Sequence, residues 1–217
     1  MEQEEEELGP SELGTREYWC SIYERDRKNY INHGDVGEIW FGEESEMRVL
    51  SWMTRNDLPN DSKIIDLGCG NGMMLIELAR EGYNNLTGVD YCEDAIELCK
   101  SIIESQSMMI SLKVADLTGE VSNLYGFDIA LDKGTYDAIS LNPEDTQYKR
   151  QKYIQNVATI LRKNGLLIIT SCNWTAAEII KHFNAEFKHK HTIPTPSFKF
   201  GGKVGNVVST VVLEKLK

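Results

Sequence analysis

Apolar residues recur along this chain in two alternating rhythms. Trp19, Ile22 and Tyr23 stand at i, i+3 and i+4, which predicts a short helix with an aromatic face; Val49, Trp52 and Met53 repeat the spacing in a helix that ends before Pro59. Residues 63–67 form the first clear strand. A helix over Met73–Arg80 follows, with Leu75, Leu78 and Ala79 on one face and Gly82 just past its end. Next come a strand at Leu86–Asp90, a helix marked by Ala95, Cys99 and Ile102, a strand with alternating Ile110, Leu112 and Val114, and a strand over 127–132. The strongest helix signal begins at Asn142, a capping residue. Pro143 takes the first helical position and Glu144 and Asp145 suit the positive end. Ile154, Val157, Ala158 and Leu161 then keep the helical period, Arg162 and Lys163 fill the last turn, and Gly165 stops it. A strand over 166–170 follows. Thr175 and Glu178 make a capping box for a helix carrying Ile179, Ile180 and Phe183. Two strands, near 186–191 and 206–214, close the chain across a Pro/Gly-rich connector.

Strands that alternate with helices predict an α/β fold: a Rossmann-like, seven-stranded, mostly parallel sheet with helices on both faces. The last two strands, with no helix between them, predict an antiparallel C-terminal hairpin at one edge. Such sheets bind ligands beyond the carboxyl ends of their strands, so the chemistry is sought there.

Composition narrows the function. The 217 residues are 41% hydrophobic and 26% charged, with 34 Asp and Glu against 23 Lys and Arg, a net charge of −11. Six of those acids precede Leu13, leaving 28 against 23 for the remainder. Residues 1–14 read as a disordered acidic tail, with one domain over 15–217. The balance argues against direct nucleic-acid binding, which needs a basic footprint, and permits a basic protein partner. No apolar run approaches the length of a membrane span, and the Glu-rich start is unlike a secretory signal. Five cysteines without a C-x-x-C pair argue for reduced thiols and against a metal site. The expected setting is cytoplasmic, with the nucleus as a further location, and the expected state is a monomer.

The segment Asp66-Leu-Gly-Cys-Gly-Asn-Gly72 runs from a strand through three alternate glycines into a helix. Glycines there allow a sharp turn and close approach of a ligand; a bare strand-to-helix turn is the alternative. A dinucleotide fingerprint needs glycine at position 73, which is Met. The D-x-G-x-G-x-G spacing resembles instead the cofactor loop of class I S-adenosyl-L-methionine-dependent methyltransferases. That likeness places Asp66 under the loop near the cofactor's ammonium, where loop N–H groups are the candidate partners of its carboxylate. Asp90, at the next strand end, suits two ribose hydroxyls or a helix N-cap. Asp116 follows the third strand, where the same pattern places an acid near the adenine amino group. Asp132 ends the fourth strand, facing the transferred methyl in such enzymes. A carboxylate there suits an amine nucleophile, and capping a short helix from Thr135 is the alternative.

The likeness extends further. Gly37-Glu-Ile-Trp-Phe-Gly-Glu43, Asp132-Lys-Gly-Thr-Tyr-Asp-Ala-Ile-Ser-Leu141, Ser171-Cys-Asn-Trp-Thr175 and 194–202 resemble the eukaryotic methyltransferase-like proteins that methylate a lysine of translation elongation factor 1-alpha. The resemblance spans Leu13 to the C-terminus. It implies S-adenosyl-L-methionine as cofactor and that factor as protein substrate. It implies Asp132 as the catalytic group, and Asp66, Gly68, Gly70, Asn71, Gly72, Asp90, Tyr91, Asp116, Leu117 and Trp40 as cofactor contacts. Lys133, Thr135, Asn173 and Trp174 would meet the substrate. Trp40 and Phe41 would lid the cofactor or simply pack the core, and Trp174 could equally staple the following helix. The rival activities are a small-molecule N- or O-methyltransferase, a nicotinamide-dependent oxidoreductase and a non-catalytic binding module.

Overall fold

A computed structural model describes residues 8–200, 203–206 and 208–217, with backbone alone for 197–200 and 203–206. Seven strands form the main sheet: β1 (Ile64–Leu67), β2 (Leu86–Asp90), β3 (Ser111–Val114), β4 (Phe127–Lys133), β5 (Leu161–Ser171), β6 (Phe187–Ile193) and β9 (Ser209–Lys215). Their order is β3-β2-β1-β4-β5-β9-β6. The first five run parallel, while β9 inserts between β5 and β6 and is antiparallel to both. The α/β Rossmann-like sheet and its antiparallel C-terminal pair are thus present. Between β6 and β9, where a plain connector was expected, β7 (Ser197–Phe200) and β8 (Lys203–Asn206) form a separate two-stranded ribbon.

The central strands of the sheet are buried on both faces. Ile64, Leu131, Ile168 and Val212 pack on one side with α2 (Glu43–Arg55), α3 (Met73–Arg80) and α4 (Glu93–Ser105). Ile65, Ala130, Leu167 and Val211 face the other side, with α5 (Thr135–Ser140), α6 (Thr146–Ile160) and α7 (Ala176–Phe183). Every residue of β1 is buried, which explains its unbroken apolar run around Asp66. In this order β1 lies between β2 and β4, the point where the connections switch direction. A crevice opens there at the carboxyl ends of the strands.

Three local expectations change. The aromatic helix at Trp19 is long: α1 spans Arg16–His33 and ends at left-handed Gly34. Helix α6 starts at Thr146, not at Pro143. Asn142 spends its side chain elsewhere, accepting from the Glu144 N–H and donating to the Gly14 carbonyl at 2.6 Å. The same helix stops at Ile160, because buried Leu161 turns extended and pairs with Phe127 in the sheet. Arg162 then forms an ion pair with Asp128 instead of filling a helical turn.

The N-terminal boundary also moves. Residues 1–7 lie outside the described residues, but within 8–14 Leu8, Ser11 and Gly14 make contacts with the domain. Leu8 rests on the second core cluster, Ser11 caps a 3-10 turn over Glu12–Gly14, and its N–H bonds the Leu141 carbonyl at 3.0 Å. A Cβ on Gly14 would fall 2.2 Å from the Leu141 backbone, so this contact requires glycine.

Asn156 of α6 ties the far wall of the crevice. Its amide donates to the carbonyls of Leu117 at 2.8 Å and Gly119 at 2.9 Å, and the residue is buried. Asn156→Leu leaves both carbonyls without that donor. Urea unfolding is expected to show a loss of about 2 kcal/mol, and a change below about 0.5 kcal/mol would contradict the tie.

Candidate functional site

The crevice is a cavity of about 380 Å³. The loop after β1, the ends of β2 and β4, the turns after β3 and β5, α1, and the segment before α2 all line it. Gly68 and Gly70 have φ of +75° and +52°, a region that favours glycine. The protein's own atoms fill the space beside them: a Cβ would stand 2.1 Å from Thr135 Oγ1 at Gly68 and 2.4 Å from Tyr23 Oη at Gly70. Thr135 Oγ1 donates to the Leu67 carbonyl at 2.6 Å, clamping the end of β1 to α5. Gly72 opens α3 beneath Cys99, away from the cavity lining.

The loop N–H groups do not serve Asp66. Those of Gly68 and Cys69 bond the Val89 carbonyl, and that of Gly70 donates to Asp90 at 3.2 Å. Asp66 is 3% exposed, lies behind the lining, and takes no hydrogen bond from a described residue. Burial pushes its carboxyl up to about 7; nearby Lys133 opposes this, and Glu46 and Asp90 add to it. Asp90 borders the cavity and accepts from the Cys92 N–H at 2.9 Å as well. Its carboxyl rises to about 6 through burial, held back by these N–H groups and by Arg16. Asp116 borders the cavity too, accepting from the N–H and hydroxyl of Thr118, with Tyr91 and Leu117 beside it.

One wall comes from the N-terminus. Trp40 meets Trp19 edge to face at 4.9 Å, and Trp19 stacks on Tyr23 at 6.3 Å; all three border the cavity. Asn71 reaches out of the glycine loop and donates to the Val36 and Glu38 carbonyls at 3.1 Å. Lys133 donates to the Trp40 carbonyl at 3.0 Å and pairs with buried Glu46 at 3.4 Å. Asn71 and Lys133, expected to meet cofactor and substrate, latch the wall. Arg16, Trp19 and Tyr23 of α1, and Glu46, were missed. The aromatic period of α1 was legible, but nothing local says which way that face points.

Asp132, expected to be the catalytic group, is buried near the end of β4. It is 2% exposed and does not border the cavity. Its Oδ1 accepts from the Thr135 N–H at 2.8 Å, and its Oδ2 accepts from the Tyr136 N–H at 3.1 Å and the Tyr153 hydroxyl. The helix-capping alternative is the arrangement observed. Trp174 is likewise core: 4% exposed, its indole N–H on Ser140 Oγ at 3.1 Å and its ring on His182. Lys133, Thr135 and Asn173 do border the cavity, as does Asp137, which the sequence pattern did not single out.

Burial lifts the Asp132 carboxyl to about 7, against the bonds from Tyr153, Thr135 and Tyr136, and Asp137 adds to the rise. The folded chain therefore holds this proton more tightly than the unfolded chain. The resulting stability is full below the unfolded value near 4 and is lost as pH climbs through about 7. Asp132→Asn cannot ionise. Its unfolding free energy is expected to fall less steeply than the wild type's between about pH 4 and about pH 7. Parallel urea titrations check this, and equal slopes would contradict it.

Residues 58–211 match a family described as "Methyltransferase domain". EEF1A lysine methyltransferase 2 of Mus musculus is 46% identical over 207 residues, covering 95% of this chain and 85% of that protein. Protein-lysine N-methyltransferase efm4 of Schizosaccharomyces pombe is 35% identical over 227 residues, covering 95% of each. Magnesium protoporphyrin IX methyltransferase (ChlM) from Synechocystis, solved with bound SAM, shares the fold at a TM-score of 0.67 and 18% identity, over 96% of this chain and 99% of that one. Likeness of this extent takes in the N-terminal wall as well as the sheet, and this chain belongs to the methyltransferase family that holds EEF1A lysine methyltransferase 2 and efm4.

Proposed function

We propose that this protein methylates a lysine side chain of translation elongation factor 1-alpha, with S-adenosyl-L-methionine as methyl donor. The observation that carries the proposal is the reach of the 46% identity. It covers 95% of the chain, whereas the generic methyltransferase match begins only at residue 58. The added part holds α1 and the Trp40 segment, which close the cavity on one side.

The lining fits that donor by its chemistry. Asp90 presents a carboxylate at the end of β2 for two ribose hydroxyls, and Asp116 one for an exocyclic amine. Leu117, Trp19 and Trp40 supply apolar surface between them. When bound, S-adenosyl-L-methionine supplies an electrophilic methyl on a sulfonium sulfur. The chain's own work is to hold, align and dry. The Trp19, Trp40 and Phe41 wall excludes water, and Lys133 and Asn71 hold that wall against the glycine loop. An acceptor lysine has a reference pKa of about 10.4 and arrives protonated. It must be desolvated and lose a proton before its nitrogen pair is free, and alignment of that nitrogen at about 3 Å does most of the rest.

Purified protein incubated with labelled donor and recombinant elongation factor 1-alpha is expected to label the factor at lysine, located by mass spectrometry of its peptides. Label confined to small metabolites in a cell lysate would favour a small-molecule methyltransferase and overturn the proposal. Gly70→Val places a branched side chain at φ +52°, against Tyr23 Oη. Calorimetry is expected to show donor affinity lowered by about tenfold or more, and unchanged affinity would remove the loop from the binding site.

A further inference from the structure

With Asp132 committed to capping α5, the cavity needs another group to meet an arriving ammonium. Asp90 and Asp116 sit at the β2 and β3 side, where the nucleoside is assigned, and Arg16 already faces Asp90. Glu38 stands exposed on the rim. Asp137 is different. It is 5% exposed, borders the cavity, and lies on the β4–β5 side, the end left open for an acceptor. Its Oδ1 accepts from the Ser171 hydroxyl and its Oδ2 from the Cys172 N–H at 2.8 Å. Both donors are neutral, and Asp137 forms no ion pair with a described residue. The Ser171 oxygen in turn accepts from the N–H groups of Asn173 and Trp174, at 3.1 and 2.9 Å. The carboxylate is therefore fixed in place before any substrate arrives.

We propose that Asp137 is the carboxylate that receives the acceptor lysine, with Asn173 beside it at the cavity wall, in place of Asp132. The inference rests on the protein-lysine reading above and names the acceptor end of that same site. A buried carboxylate without a cation is costly, and an incoming ammonium relieves that cost. Burial raises the Asp137 carboxyl above its ordinary range, which also suits it to take the proton the ammonium must lose. The nitrogen pair so freed forms the new bond to the methyl carbon as the carbon–sulfur pair returns to sulfur. One methyl is transferred and one proton leaves for solvent.

The test uses the full chain and the elongation factor, first unmodified and then with the lysine found by mass spectrometry replaced by methionine. Asp137→Asn is expected to cut turnover by about 100-fold while donor affinity stays within about twofold. The wild-type chain is expected to bind the lysine form more tightly than the methionine form, and Asp137→Asn to lose that preference. Asp137→Ser is a second neutral variant should the first fail to fold. Ser171→Ala weakens the turn but keeps the carboxylate, and is expected to retain far more activity than Asp137→Asn. If Ser171→Ala loses as much, the carboxylate acts only by holding the turn and the assignment is overturned. Undiminished turnover in Asp137→Asn, with an active wild type, overturns it alone. No transfer to the factor by the wild-type chain brings down both readings.

Discussion

The constraint that shapes this molecule is negative charge held out of water. Asp66, Asp90, Asp132 and Asp137 all lie within 7% exposure around one crevice, and burial pushes each carboxyl above its usual range. An isolated carboxylate in such a place is strongly destabilising, so the surroundings are organised to supply donors. The turns after β1, β2, β4 and β5 do this with backbone N–H groups, and Tyr153 of α6 and Ser171 at the end of β5 add hydroxyls. Asp66 is the exception. No hydrogen bond from a described residue reaches it, and its relief comes from the field of Lys133. The strand ends are thus tied to one another by the need to satisfy their acids, and the cavity keeps its shape for the same reason.

The N-terminal wall follows from that arrangement. Lys133 pairs with Glu46, opposes the rise of the Asp66 carboxyl through its field, and also reaches the Trp40 carbonyl, so one cation answers two buried acids and pins the segment before α2. Asn71 pins the same segment from the glycine loop. The aromatic contacts of Trp40 with Trp19, and of Trp19 with Tyr23, then carry α1 across the opening. Closing the site and stabilising the charges beneath it are one set of contacts.

Much of the sheet was legible because period and capping are local. β2 and α3 have the bounds read from the sequence, and the capping box at Thr175 and Glu178 is formed. What failed was decided at long range. Asn142 has every attribute of a helix cap, yet Gly14, far earlier in the chain, claims its amide. Leu161 continues a helical period, yet its burial beside Phe127 turns it into strand. The β7–β8 ribbon lies in a stretch whose Pro and Gly content reads as connector. Around the cavity, Asp90, Asp116, Gly68 and Gly70 were legible because strand ends and glycines announce themselves. The α1 wall was not, since its partners lie across the fold.

Asp132 shows what a strand-end acid does for the turn that follows it. The run Asp132-Lys-Gly-Thr-Tyr-Asp137 is a strand end, a left-handed glycine with φ of +94° and the first turn of α5. An acid three residues before the Thr135 N–H is well placed to cap, and Tyr153 completes its shell from α6. That cap sets the orientation of α5, and α5 carries Asp137 to the turn after β5 and to the cavity. Two acids five positions apart thus take different places in the fold. One gives the short helix its direction, and the other borders the cavity.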